Sequence, residues 1–172
     1  MKINELEFSE SNNQWLKLEK GDNRIRIVSE ALPFAQYWVE NKSYICLGEN
    51  CGLCDTGAKK SKQFFLYVID RKDKELKIAQ VGVGIMKELK GLAISEDWAF
   101  ESVPDFDITI RKEGEGFGSV KYFVIPNAKK DLSEEDKALL EGRDLDTELE
   151  VVLKEKTEYS KEDAVKVDSI PF

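Results

Sequence analysis

Short segments that alternate apolar and polar side chains, broken by glycine and charged turns, constrain this chain more than any other feature. Arg24-Ile25-Arg26-Ile27-Val28 and Phe106-Asp107-Ile108-Thr109-Ile110-Arg111 repeat with the period of two that sorts side chains onto opposite faces of a strand. Trp15-Leu16-Lys17-Leu18 joins the first of them across Gly21-Asp22-Asn23, which predicts a β-hairpin. Further strands are predicted at Ala35 to Val39, Gln63 to Asp70, Leu76 to Val81 and Val120 to Ile125, with turns at Arg71-Lys72-Asp73-Lys74 and across Glu113 to Gly118. Pro126 is expected to close the sheet region. Five or six strands with little helix between them predict a mainly β chain folded as a small Greek-key barrel of the OB type.

The remaining segments are helical or loop-like. Ile85, Leu89 and Leu92 have helical spacing after Gly82-Val83-Gly84, a glycine pair too short to specify phosphate binding. Ser133-Glu134-Glu135-Asp136 is a variant capping box, and Gly142 stands where a glycine ends a short helix. Between Leu145 and Lys156 the apolar positions fit either a helix or a strand. From Thr157 onward the composition predicts a flexible acidic tail. The expected organisation is therefore a barrel over 1–130 with a cysteine loop at 43–57, a short helix and adjoining segment over 131–156, and the tail over 157–172.

Charge follows this division. The chain of 172 residues carries 34 acidic and 26 basic side chains, and the whole excess of −8 lies beyond residue 130. The stretch from Lys59 to Lys90 is locally basic, so the sequence has a basic middle and an acidic end. No apolar run approaches the ~20 residues that span a bilayer, and the first residues lack a secretory apolar core, which makes a cytoplasmic location the expectation. Histidine is absent, which excludes imidazole catalysis and His-ligated zinc. No enzyme is expected.

Cys46, Cys51 and Cys54 form C-x4-C-x2-C among glycines. Thiolates at this spacing can wrap one tetrahedral zinc, with Asp55, Glu49 or a water completing the shell; equally, they can be plain thiols in a loop. A redox pair at Cys51 and Cys54 lacks the βαβ setting such chemistry uses.

A strand face that carries arginine, lysine and flat rings suits single-stranded nucleic acid, whose phosphates it neutralises and whose bases it stacks at ~1–3 kcal/mol each. Phe65, Tyr67 and Ile69 share one face of their strand, and Arg24 and Arg26 oppose Ile25 and Ile27. Any single ring also fits a core. Arg24, Arg26, Arg111 and Lys121 fit one less easily. At the far end, Val167-Asp168-Ser169-Ile170-Pro171-Phe172 ends an acidic segment on apolar side chains and a carboxylate, a form that docks in cation-rimmed pockets.

In order and character, four stretches resemble the single-stranded DNA-binding, helix-destabilising proteins of tailed phages. They are Trp15 to Arg26, Cys46 to Cys54, Phe64 to Arg71, and Phe106 to Ile110 followed by Lys121 to Pro126. The end Asp168-Ser169-Ile170-Pro171-Phe172 is similar to the partner-recruiting tip of bacterial single-stranded DNA-binding proteins. The resemblance implies an OB fold with a zinc-knuckle insertion and a non-catalytic coat for DNA during phage replication, recombination or repair, with little sequence preference. The cells would be infected hosts, and the protein would self-associate along DNA. The implied DNA contacts are Arg24, Arg26, Trp38, Lys59, Lys60, Lys62, Phe65, Tyr67, Arg71, Lys72, Arg111, Lys121 and Phe123, with Asp168, Ile170, Pro171 and Phe172 holding replication or recombination proteins. Such proteins commonly place a histidine before the knuckle as a zinc ligand; here Gln36-Tyr37-Trp38 stands instead, which leaves the metal open. An acidic OB-like adaptor that binds a polymerase or another replisome protein rather than DNA is the competing expectation.

Overall fold

The alternating segments come together as one antiparallel sheet. The structure, a computed structural model, describes residues 14–40, 42–46, 54–56, 58–116 and 118–168, and their side chains except at 55 and 158–168. Its seven strands are β1 (Gly21–Ile27), β2 (Leu32–Val39), β3 (Lys42–Ile45), β4 (Lys59–Asp70), β5 (Glu75–Gly82), β6 (Phe106–Glu113) and β7 (Lys121–Lys129). The helices are α1 (Val83–Ala93), α2 (Glu134–Leu140) and α3 (Leu145–Asp168). The sheet runs β3-β2-β4-β1-β6-β7, with β5 on the other side of β4. This is a mainly β, barrel-like architecture.

Strand β4 is the pivot. Its first half pairs with β2, from Lys59 opposite Trp38 to Phe65 opposite Leu32, and its last residues pair with β1. β5 runs along its other edge from Gln63 to Asp70. β1 and β2 therefore lie end to end along one edge, bent at residues 28–31. At the bend Ser29 Oγ accepts a hydrogen bond from the Tyr67 N–H at 2.8 Å, in place of a missing ladder bond.

Alternation on β4 builds two apolar layers. Leu66 and Val68 point into the barrel with Ile25, Ile27, Ala79, Val81, Phe106, Ile108 and Ile110, and Ile85 and Leu89 of α1 pack there. Phe65 and Tyr67 point the other way, where Leu145 and Leu149 of α3 cover them together with Ile78. Spacing of four between those leucines, extended by Val152 and Leu153, is the apolar stripe of an amphipathic helix.

Several expectations change on this scaffold. The predicted first hairpin does not form: Gly21-Asp22-Asn23 lies inside β1 and pairs with Lys112, Arg111 and Ile110 of β6. Asn23 explains the turn-like sequence, because its side-chain amide donates to the Glu19 carbonyl while its oxygen accepts from the Glu19 N–H. Trp15 instead bridges Ile78 in parallel. Pro126 does not end the sheet; β7 runs through it to Lys129, which a strand with a free edge allows because no ladder donor is lost there. The segment from Leu145 is a helix, and its backbone stays helical to Asp168, through most of the stretch expected to be a flexible tail. The capping box forms as predicted, with Ser133 accepting from the Asp136 N–H and Asp136 accepting from the Ser133 N–H. At the β6–β7 tip, Gly114 has a φ of +88°, and a Cβ there would meet the Ser119 carbonyl oxygen at 2.2 Å, so only glycine fits. Among the described residues no helix is long and apolar enough to cross a membrane.

Candidate nucleic-acid interface

The face predicted to receive DNA exists, but the chain's own C-terminal helices lie on it. Arg24 and Arg26 on β1, Phe65 and Tyr67 on β4, and Arg71 just after β4 belong to one side of the sheet. Phe65 is fully buried, its ring packed in tilted contact 4.3 Å from Phe34 and 5.5 Å from Trp15. Tyr67 is buried under Leu149, with the Arg143 guanidinium 5.6 Å from its ring. Neither ring offers a face to a base, so both leave the predicted set: the helix stripe from Leu145 to Leu153 takes the contact that bases were expected to make.

Arginines on this side are committed to carboxylates. Asp107 accepts from Arg24 Nε at 2.9 Å and from Arg71 Nε and Nη2 at 3.1 and 3.0 Å, with Arg26 Nη1 3.5 Å away. Arg71 also holds both oxygens of Asp136 at 2.6 and 3.0 Å, which ties the start of α2 to the barrel. Arg26 is 4% exposed and donates to the Lys130 carbonyl, so it is structural rather than a DNA contact. Burial by itself would raise the Asp107 pKa; hydrogen bonds from Arg71 and Arg24 outweigh it and hold the carboxyl below its ordinary value. The Arg71 guanidinium does the same, more directly, for Asp136. Arg111 reaches solvent but pairs with Asp22 at 2.8 Å, and Lys72 pairs with Glu19. Sequence reading missed Asp107 and Asp136 because alternation assigns a side to a carboxylate but not its partners.

A different part of the sheet is open. The first half of β4 extends with β2 and β3 as an arm, and it carries Lys59, Lys60 and Lys62, all exposed. Among the described residues none of the three makes an ion pair. Trp38, directly opposite Lys59, is 59% exposed, the most open ring among the described residues. Lys60 Nζ lies 5.9 Å from the Tyr37 ring and Lys62 Nζ 5.5 Å from Phe64. On the Trp38 side the arm continues into a shallow cleft floored by Phe34 and walled by Gln36, Ser43 and Gln80, where Lys156 of α3 closes the end. Burial lowers the Lys156 pKa, and its ammonium sits 4.1 Å from the Trp15 ring.

Lys121 and Phe123 form a third location. Both are exposed on β7, next to an exposed Tyr122, but β1 and β6 separate them from β4 in the sheet. The predicted set thus divides into a covered face, an open arm and the β7 edge.

At the arm's end, Tyr37 Oη lies 2.7 Å from Cys54 Sγ and 3.8 Å from Cys46 Sγ, and the two sulfurs are 3.8 Å apart. Hydrogen bonding to Cys54, then burial and Cys46, push the Tyr37 phenol above its usual range. Cys51 and Glu49 lie outside the described residues, as do Ile170, Pro171 and Phe172 of the predicted tip; Asp168 is described only as the last residue of α3. Among the described residues no three His, Cys, Asp or Glu side chains cluster as a metal site.

These features define a small antiparallel barrel with an open cationic and aromatic arm. The chain is similar to a probable ssDNA-binding protein of Escherichia phage T5, 30% identical over 134 residues, which cover 60% of this chain and 51% of that one. The chain thus spans about half the length of that curated relative. No protein-family profile and no solved structure matches it.

Proposed function

We propose that this protein is a non-catalytic single-stranded DNA-binding protein that takes DNA along the β2–β4 arm. The observation that carries the reading is the arm's exposed Trp38 with Lys59 on its face and Lys60 and Lys62 on the other face, cations without carboxylate partners among the described residues. Phosphates would exchange their counterions for these lysines while a base stacks on Trp38, which gives affinity without sequence preference. The named relative supports the class of ligand. Strand order supports reading the barrel as an OB fold: if β1 and β2 count as one bent first strand, the sheet runs third-second-first-fourth-fifth, with α1 between third and fourth.

On this reading the protein coats DNA exposed in phage replication, recombination or repair, and the terminal Ile170-Pro171-Phe172 recruits partner proteins. Its test is a fluorescence titration with oligo-dT at two salt concentrations. The expected result is binding that weakens steeply with salt; salt-independent or absent binding would favour the protein-binding adaptor. In the same assay Trp38→Ala should lose about 1–3 kcal/mol, roughly five- to 150-fold in affinity, with the salt slope retained.

Negative charge beyond residue 130 competes for the same cations when DNA is absent. Removing residues 157–172, a net-acidic stretch, should therefore raise affinity at low salt, with the gain vanishing at high salt. Equal affinities at low salt would count against that competition.

A further inference from the structure

From the cleft beside Trp38 we infer that this protein holds one nucleobase of its DNA strand there, with the side-chain amides of Gln36 and Gln80 on the polar edge of the base. The inference rests on the single-stranded DNA reading and deepens it, because it adds to the arm a site that meets a base rather than a phosphate.

The sheet lays the cleft on the face that carries Trp38. Phe34, Gln36 and Trp38 alternate with their neighbours on β2 and so point to one side, as do Ser43 of β3 and Lys59 of β4, both opposite Trp38. Gln80 of β5 joins them, because its partner Phe65 stands two residues from Gln63, the partner of Phe34. Trp38 and Phe34 are four residues apart on β2, about 13 Å along an extended strand. At the ~3.4 Å rise of stacked nucleotides, a strand held by Lys59 and Trp38 reaches the cleft within about four nucleotides.

Charge and composition favour a base over a phosphate. The cleft holds about 380 Å³, within the range of small-molecule sites. Glu155 and Lys156 stand together at its α3 end with opposite charges, so the cleft has no net attraction for an anion. Its floor is the half-buried Phe34 ring and its walls are amides, a set that suits a neutral heteroaromatic ring. Gln80 Nε2 donates to Gln36 Oε1 at 3.2 Å, which holds the two side chains side by side over β4. That bond leaves the Gln80 oxygen to accept and the Gln36 amino group to donate. Thymine presents O4 as an acceptor where cytosine presents its N4 amino group as a donor. Amides meet either by half a turn, since each carries an oxygen and an amino group. The site therefore adds affinity without selecting one pyrimidine.

The test titrates the full chain with oligo-dT and with oligo-dC of the same length. Gln80→Glu replaces an amide by a group that only accepts, which suits the cytosine amino group and opposes thymine O4. It should raise the ratio of oligo-dC to oligo-dT affinity about fivefold or more over that of the wild type. The added negative charge repels both strands alike and cancels in that ratio. Gln36→Ala combined with Gln80→Ala should weaken both strands about three- to tenfold with the salt slope unchanged, since no phosphate contact is lost. An unchanged ratio in Gln80→Glu overturns the inference, and so does wild-type affinity in the double alanine variant. Gln80 is exposed, so its replacement leaves the fold intact by circular dichroism; should the double variant fail to fold, the Gln80→Glu ratio decides alone. Failure of the underlying reading looks different: the wild type then binds neither strand, and both conclusions fall. Salt-dependent wild-type binding with unaltered cleft variants removes the cleft alone.

Discussion

Replacing Lys59, Lys60 and Lys62 together by alanine should reduce affinity for oligo-dT roughly a hundredfold at low salt and flatten its salt dependence by about two units of log–log slope. Each lysine that touches a phosphate of a single strand contributes about 0.7 to that slope, so three contacts account for the change. All three side chains are exposed and make no ion pair among the described residues, so their removal should leave thermal stability within about 0.5 kcal/mol. That pairing of a large binding effect with a small stability effect separates a binding role from a structural one. Arg71→Ala should show the opposite pattern. A triple variant that binds with wild-type affinity would show that phosphates run elsewhere, with Lys121 and Phe123 of β7 the next candidates.

Arg71→Ala should destabilise the fold by about 3 kcal/mol, the low end for a broken buried pair because the guanidinium keeps some exposure. At that size the melting temperature falls by about 6–12 °C. Asp107 would keep Arg24 and Arg26, but Asp136 would keep only the Ser133 N–H and the start of α2 would lose its tie to the barrel. The effect depends on pH with a definite sign. Both carboxyls are held below their ordinary value of 3.8 in the folded protein. Their contribution is therefore complete above that value and disappears as pH falls through the depressed folded values. The gap in stability between wild type and Arg71→Ala should be full at neutral pH and close progressively below about pH 4. A gap of constant size down to pH 2 would mean that the arginine acts through packing and not through its carboxylates.

These two residue groups show what the amino-acid sequence reveals and where it stops. Alternation located six of the seven strands, because a period of two is a local property that burial of one face enforces. β3 escaped, being four residues long beside a cysteine loop whose composition dominates the window. Ser133 and Asp136 were legible as a cap because a capping box is local in sequence. What alternation cannot give is the occupant of a face. Arg24, Arg26, Phe65, Tyr67 and Arg71 do lie on one side of the sheet, as a DNA surface requires. Their partners are Asp107, Asp136, Leu145 and Leu149, 83 residues away in the case of Asp107 and Arg24. The leucine stripe fits helix and strand alike over a short window, so neither its form nor its docking site can be read locally.

That correction moves the candidate interface rather than removing it. Cations paired by buried carboxylates hold a fold together; cations left to solvent beside an open indole bind polyanions. On the proposed reading Lys59 beside Trp38 meets the second description, with Lys60 and Lys62 left to solvent on the other face of the same arm.

Photo-cross-linking of the full chain to oligo-dT, with the modified peptides identified by mass spectrometry, tests the central claim most directly. The account predicts adducts on the β2–β4 arm, centred on Trp38 and the Lys59 to Lys62 stretch, that disappear when the lysines are replaced. Adducts confined to β7, or to the face under α3, or none at all under conditions of saturating binding, would contradict it.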